Sequence, residues 1–201
     1  EISTFSLVIS KMMKHLDALL QEKEGDVIKK QLKKIKKYED ISDQLEIEVG
    51  NYLIKLSETE LSEKSSIRIR SMLSIINDLE RAADVIYQMS KTIERKVDEK
   101  IWFTPGQRER LLLLFEKVNE SIKVMQVTLE GSYDNVNIED SKRIEREINE
   151  MRSKLRKRHL KSIEKGDYNI KAGLVYVDLI ASAEKLGDHV YDVCEATTGE
   201  V

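Results

Sequence analysis

The stretch Glu80-Arg81-Ala82-Ala83-Asp84-Val85-Ile86-Tyr87 returns 104 residues later as Glu184-Lys185-Leu186-Gly187-Asp188-His189-Val190-Tyr191. The two strings agree in identity or type at most positions. The surrounding register keeps the same shift: Leu73, Ile76, Glu80, Ala83, Tyr87 and Ser90 correspond to Val177, Ile180, Glu184, Gly187, Tyr191 and Cys194. Steps of three and four residues mark one face of a helix, and recurrence at a fixed interval marks a duplicated unit.

Outward from these strings, six amphipathic stretches fill the chain. The first runs from about Ile2 to Gln21 on Phe5, Val8, Ile9, Met12, Met13, Leu16, Leu19 and Leu20. Gly25 then breaks the pattern, with Asp26 as the expected N-cap of a helix from about Val27 to Leu56. That helix should turn Ile28, Leu32, Ile35, Leu45, Val49, Tyr52 and Leu56 inward, with Gly50 as a weak point. After a turn at Ser57 to Ser62, a third helix spans about Glu63 to Asp98. Thr104-Pro105-Gly106-Gln107 reads as a capping box with Pro at the first helical position, opening a helix to about Tyr133. Gly131 to Asn137 is a loop, and Asn137 should cap a fifth helix to about Glu164. Gly166 and Asp167 separate it from a sixth, about Tyr168 to Ala196.

The expected fold is therefore all-α: six long helices arranged as two tandem three-helix-bundle repeats packed side by side. Residues 1–101 form the first repeat and residues 102–201 the second, with the single Pro at the seam. Composition agrees. Of 201 residues, 35% are charged and only 5% aromatic, with one Pro and eight Gly, which excludes a β-sandwich or barrel. No GxGxxG or P-loop string occurs. The lone Cys194 excludes an internal disulfide framework, and a net charge of −3 does not ask for nucleic acid. The longest apolar run, Leu111 to Phe115, is far short of the ~20 residues of a membrane span. The chain opens at Glu1 directly in helical sequence, as a domain excised from behind an upstream membrane region would.

Acid pairs four residues apart are common by chance: with 37 acids, roughly six or seven are expected. Position distinguishes Glu80 and Glu184, which fall inside an apolar series where a carboxylate is costly unless paired or metal-bound. Glu39 with Asp43, and Glu145 with Asn149, lie beside the inward stripes of the second and fifth helices. A helical hairpin would set Glu39, Asp43, Glu80 and Asp84 face to face, and likewise Glu145, Asn149, Glu184 and Asp188. Such oxygen-rich sets suit hard or borderline cations. The competing reading pairs these acids with nearby Lys and Arg or leaves them lining a solvated groove.

Repeated ExxxD motifs on the paired helices of a duplicated three-helix unit resemble the PhoU family of phosphate-uptake regulators. The segment from Glu184 to Glu195 is similar to the E-[RK]-[IL]-G-D stretch of that family's last helix. The resemblance covers nearly the whole chain. It implies iron, zinc or similar ions in small clusters on the ExxxD faces, and a non-catalytic regulatory role in phosphate uptake. Asn149 and Ala82-Ala83 depart from the pattern, and the neutral Asn149 leaves the second site one charge short. Two settings follow. One is a domain fused behind a sodium/phosphate cotransporter, at the cytoplasmic face of the membrane; the other is a free-standing regulator of an ABC-type phosphate transporter and its sensor kinase. The partner is a membrane phosphate transporter in cis or in trans, and self-association into a homo-oligomer is left open.

The rival readings are a metal-free interaction module and a metal-dependent hydrolase. A di-iron oxidase is excluded, because His15, His159 and His189 have no Glu three residues before them. The ring of His189 should point about 100° around the helix from Asp188, which favours a structural role. Six Lys between Lys29 and Lys37, and the basic run from Lys142 to Lys165, read as solvated helix faces. Trp102 and Phe103 are expected to pin the two repeats together.

Overall fold

The computed structural model describes residues 2–22, 24–131, 136–166 and 169–199. Six helices account for nearly all of them: α1 (Ile2–Gln21), α2 (Gly25–Ser57), α3 (Glu63–Asp98), α4 (Pro105–Glu130), α5 (Glu139–Glu164) and α6 (Ile170–Ala196). No helix among the described residues is long and apolar enough to cross a membrane.

Helix ends follow the chemistry of their caps. Thr104 Oγ1 accepts from Gln107 N at 3.2 Å while Gln107 Oε1 accepts from Thr104 N at 2.9 Å, the reciprocal capping box expected before α4. Ser62 caps α3 and Asn169 caps α6 through side-chain acceptors. Asp26 is not a cap: α2 begins at Gly25 after Glu24, and Asp26 lies in the first turn, where its charge favours the helix dipole. Asn137 acts one residue early, accepting from Glu139 N at 2.9 Å, with Ile138 in the cap position of α5. The expected boundaries at Tyr133, Asp167 and Tyr168 lie outside the described residues. α3 ends in a Schellman turn, with Ile101 N donating to Lys96 O at 2.9 Å and Lys100 N to Val97 O at 3.0 Å. Lys100 therefore sits at φ +53°, a left-handed position usually held by glycine.

Packing separates the helices by composition. α1, α3, α4 and α6 form the centre: α1 packs on α3 and α4, and α6 packs on α3 and α4. Among the described residues, α2 lies against α1 and α3 only, and α5 against α4 and α6 only. The central helices accordingly bury nearly continuous apolar faces, such as Phe5, Ile9, Met12, Met13 and Leu16 on α1. The flanking α2 and α5 bury only a narrow line, Ile28, Ile35 and Leu53 on α2, Ile144, Ile148 and Leu155 on α5. α3 and α6 run antiparallel, since Asp78 meets His189, Arg95 meets Asp178 and Glu99 meets Lys171.

Two expected core positions are corrected. Tyr52 is 66% exposed and Leu56 is also exposed. The 33-residue α2 outruns the 20-residue α1 that folds back along it, and Tyr52 lines an open cleft with Ile2, Ser3, Met72 and Leu129 rather than a packed core. Gly50 does not interrupt α2, and a Cβ there would make ordinary contact with Ile76 at 3.6 Å. Phe103 is buried and meets Tyr176 of α6 edge-on at 5.8 Å. Trp102 is 58% exposed and instead covers the ammonium of Lys96, 5.1 Å from its ring centre, because Lys96 needs an electron-rich surface where burial strips its water.

Candidate functional site

The repeated register is visible as burial. Leu73, Glu80 and Tyr87 are half-buried and Ile76, Ala83 and Ser90 buried; Val177, Glu184 and Tyr191 are half-buried and Ile180, Gly187 and Cys194 buried. Both glutamates thus stand at the edge of the core in the same phase. Their partner helices approach closely. A Cβ on Gly187 would come within 3.0 Å of Ile148 Cδ1, so α5 and α6 meet at a distance only glycine allows without displacement.

The two acid faces differ in how their charge is balanced. In the first, burial pushes the Glu80 carboxyl above its ordinary value, and Asp84, Glu46 and Asp43 push it further, with Arg81 opposing. Glu39 is buried but neutralised by its own helix, its Oε2 accepting from Lys36 Nζ at 2.5 Å. Asp84 is exposed. The electrostatically coupled set is therefore Asp43, Glu46, Glu80 and Asp84, with Glu46 added to the expected residues and Glu39 tied up beside them.

In the second face, Arg152 donates to Glu184 and forms an ion pair with it, and Asn149 Nδ2 donates to Glu145. Burial raises Asp188 to about 6, with Glu184, Glu145 and Asp192 adding to the shift and His189 opposing it. The sequence could have shown this asymmetry. Glu39 and Asp43 map onto Glu145 and Asn149 with a shift of 106 residues, not 104, and by that shift Glu46 maps onto Arg152. The first face carries a carboxylate where the second carries a guanidinium.

The donor chemistry of the first face fits a hard or borderline cation: four carboxylates, one of them half-buried among like charges. The second fits one less well, since Arg152 already supplies positive charge. Among the described residues, the three donors whose ligand atoms come within 4.8 Å of one another are a different set, Asp78 of α3 with His189 and Asp192 of α6.

The other candidates resolve as structural. His15 stacks on Tyr38 at 5.9 Å and its Nδ1 meets Gln31 Oε1 at 2.7 Å, while the buried His159 lies beside Tyr176. Cys194 is buried, and burial pushes its thiol up, away from a reactive thiolate. Lys29, Lys30, Lys33, Lys34, Lys36 and Lys37 are all exposed, a solvated face.

Six helices, with an acid face on each of the pairs α2–α3 and α5–α6, make an all-α bundle. Residues 2–93 match the PhoU domain family, and the chain has the PhoU fold. The crystal structure of PhoU from Pseudomonas aeruginosa superimposes with a TM-score of 0.85 over 98% of this chain and 91% of that one, at 12% sequence identity. The phosphate-specific transport system accessory protein PhoU homolog 1 of Thermotoga maritima is 27% identical over 130 residues, 63% of this chain. The match spans about half of that relative, 53% of its length.

Proposed function

We propose that this chain is a non-catalytic regulatory domain that modulates phosphate transport by contact with a membrane phosphate transporter at the cytoplasmic face, and that its first acid face holds a metal ion. The family match over residues 2–93 supports the regulatory reading. The observation that carries the site is the environment of Glu80, half-buried among Asp43, Glu46 and Asp84. A bound cation would supply the positive charge these carboxylates lack. Asp43 and Glu46 on α2, with Glu80 and Asp84 on α3, would hold it and thereby fix α2 against α3. Glu145, Glu184 and Asp188, with Asn149, form a weaker second site under Arg152. Iron, zinc and manganese all suit such oxygen donors.

The setting has two forms. In one the domain acts in cis on a sodium/phosphate cotransporter. In the other it acts in trans on an ABC-type transporter and its sensor kinase, which the Thermotoga relative's description as a transport-system accessory protein favours. Reconstitution with each transporter class separates them by which one's phosphate flux responds. The metal claim is tested by elemental analysis of native protein and by thermal shift with iron, zinc and manganese. Stabilisation that disappears in Glu80→Gln with Asp84→Asn is expected. Absence of both bound metal and thermal shift would overturn the site.

A further inference from the structure

We propose that Asp78, His189 and Asp192 form a separate metal site that clamps α3 to α6, with a donor set suited to a borderline divalent cation of the zinc or cobalt class. His189 and Asp192 are three residues apart and share one face of α6. Asp78 reaches them from the antiparallel α3, with its Oδ1 3.2 Å from His189 Nδ1. Two ligand atoms about 2.0–2.1 Å from a tetrahedral zinc ion lie roughly 3.3 Å apart, so this spacing already suits a shared cation. One donor atom from each residue falls within 4.8 Å of the other two.

Burial sharpens the case. Asp78 is 7% exposed, and the side chains of Asp78 and His189 are both nearly closed off from solvent where they meet. A His–Asp ion pair stapling the helices is the simpler reading, but it accounts for one carboxylate of two. Asp192 remains beside them, with a carboxylate oxygen within 4.8 Å of the other two donors. A divalent ion balances both carboxylates and takes the imidazole neutral. One nitrogen with two oxygens favours zinc or cobalt over magnesium or calcium, which take oxygen alone.

The arrangement is not a by-product of the repeat. With the 104-residue shift, Asp78, His189 and Asp192 map onto Ser182, Val85 and Gln88. Those three line a cleft of about 330 Å³ beside the group, with His189, Arg81, Asp84 and Lys185. One side of the α3–α6 contact thus carries three metal-ligating side chains. The symmetry-related positions carry no ligating side chain, and the cleft that they line with His189 gives a cation and its water a way to that ring.

Cobalt(II) titration of the full chain, read by visible d–d absorption, tests the site apart from the acid faces. In Glu80→Gln with Glu184→Gln, one equivalent of Co(II) should still bind with imidazole ligation, seen as a shift of the His189 ring signals by NMR. Adding His189→Gln or Asp192→Asn should weaken that equivalent by at least about tenfold, with the helical circular dichroism unchanged. Asp192→Asn leaves the His189–Asp78 contact in place, so it serves if His189→Gln does not fold. Cobalt affinity unchanged in Asp192→Asn, or no cobalt bound once the acid faces are removed, would overturn the proposal.

Discussion

Asp17→Asn should stabilise the protein at neutral pH and not in acid. Asp17 lies on α1 where it meets α4, and Asn119 Nδ2 donates to its Oδ2 at 2.8 Å, while Oδ1 is buried without a partner. Burial raises the carboxyl from 3.8 to about 6, against the Asn119 hydrogen bond and with a further push from Glu116. A raised carboxyl binds its proton more tightly in the folded state than in the unfolded chain. Its contribution to stability is therefore complete below 3.8 and is lost as pH rises through about 6. A shift of this size corresponds to about 3 kcal/mol at neutral pH. Screening of a partly buried group reduces that to roughly 1–2 kcal/mol. Asparagine keeps an acceptor for Asn119 and removes the charge. Urea denaturation should show the variant more stable by that amount at about pH 7.5, with the advantage largely gone at about pH 4. The melting temperature at neutral pH should rise by roughly 2–8 °C. A gain of equal size at both pH values, or none at neutral pH, would refute the reasoning.

Three further substitutions probe other parts of the account. Gly187→Ala sets a Cβ 3.0 Å from Ile148 Cδ1 and 3.3 Å from its Cγ2. Overpacking of about 1–3 kcal/mol should outweigh a helix-propensity gain of about 1 kcal/mol, and Ile148→Val, which removes the nearer atom, should recover part of the loss in a double-mutant cycle read by chemical denaturation. Lys100→Gly relieves the left-handed strain at the end of α3 and should raise stability by about 0.5–1 kcal/mol in the same assay. Arg152→Met removes the cation bound to Glu184. A unit charge at about 4 Å is worth about 4 kcal/mol at an effective dielectric of about 20, so manganese should bind the second face at least about tenfold more tightly by calorimetric titration.

The helices were legible because their signals are local. The apolar stripe of α1, the span of α3 and the capping box before α4 depend only on residues within one or two turns. Tyr52 and Leu56 misled because a stripe shows which face is apolar but not how long the neighbouring helix is. The same limit hid the balance of the acid faces. Spacing on α3 and α6 placed Glu80 and Glu184 at the core edge, but Glu46 and Arg152 required comparing α2 with α5 at their own shift. One residue on from Asp188, His189 lies about 100° around α6. What lies in that direction, Asp78 on α3, depends on the register between two antiparallel helices more than 100 residues apart in sequence, which no single-helix pattern encodes.

The central claim is that the uncompensated first acid face controls phosphate transport. Phosphate uptake should be measured in cells or vesicles carrying the transporter with the wild-type chain, and with Glu80→Gln plus Asp84→Asn at equal abundance and intact helicity. The account predicts that the wild-type chain changes uptake and that the double variant loses most of that effect, while Lys100→Gly keeps it. Uptake regulated equally by the wild type and the double variant would contradict the claim.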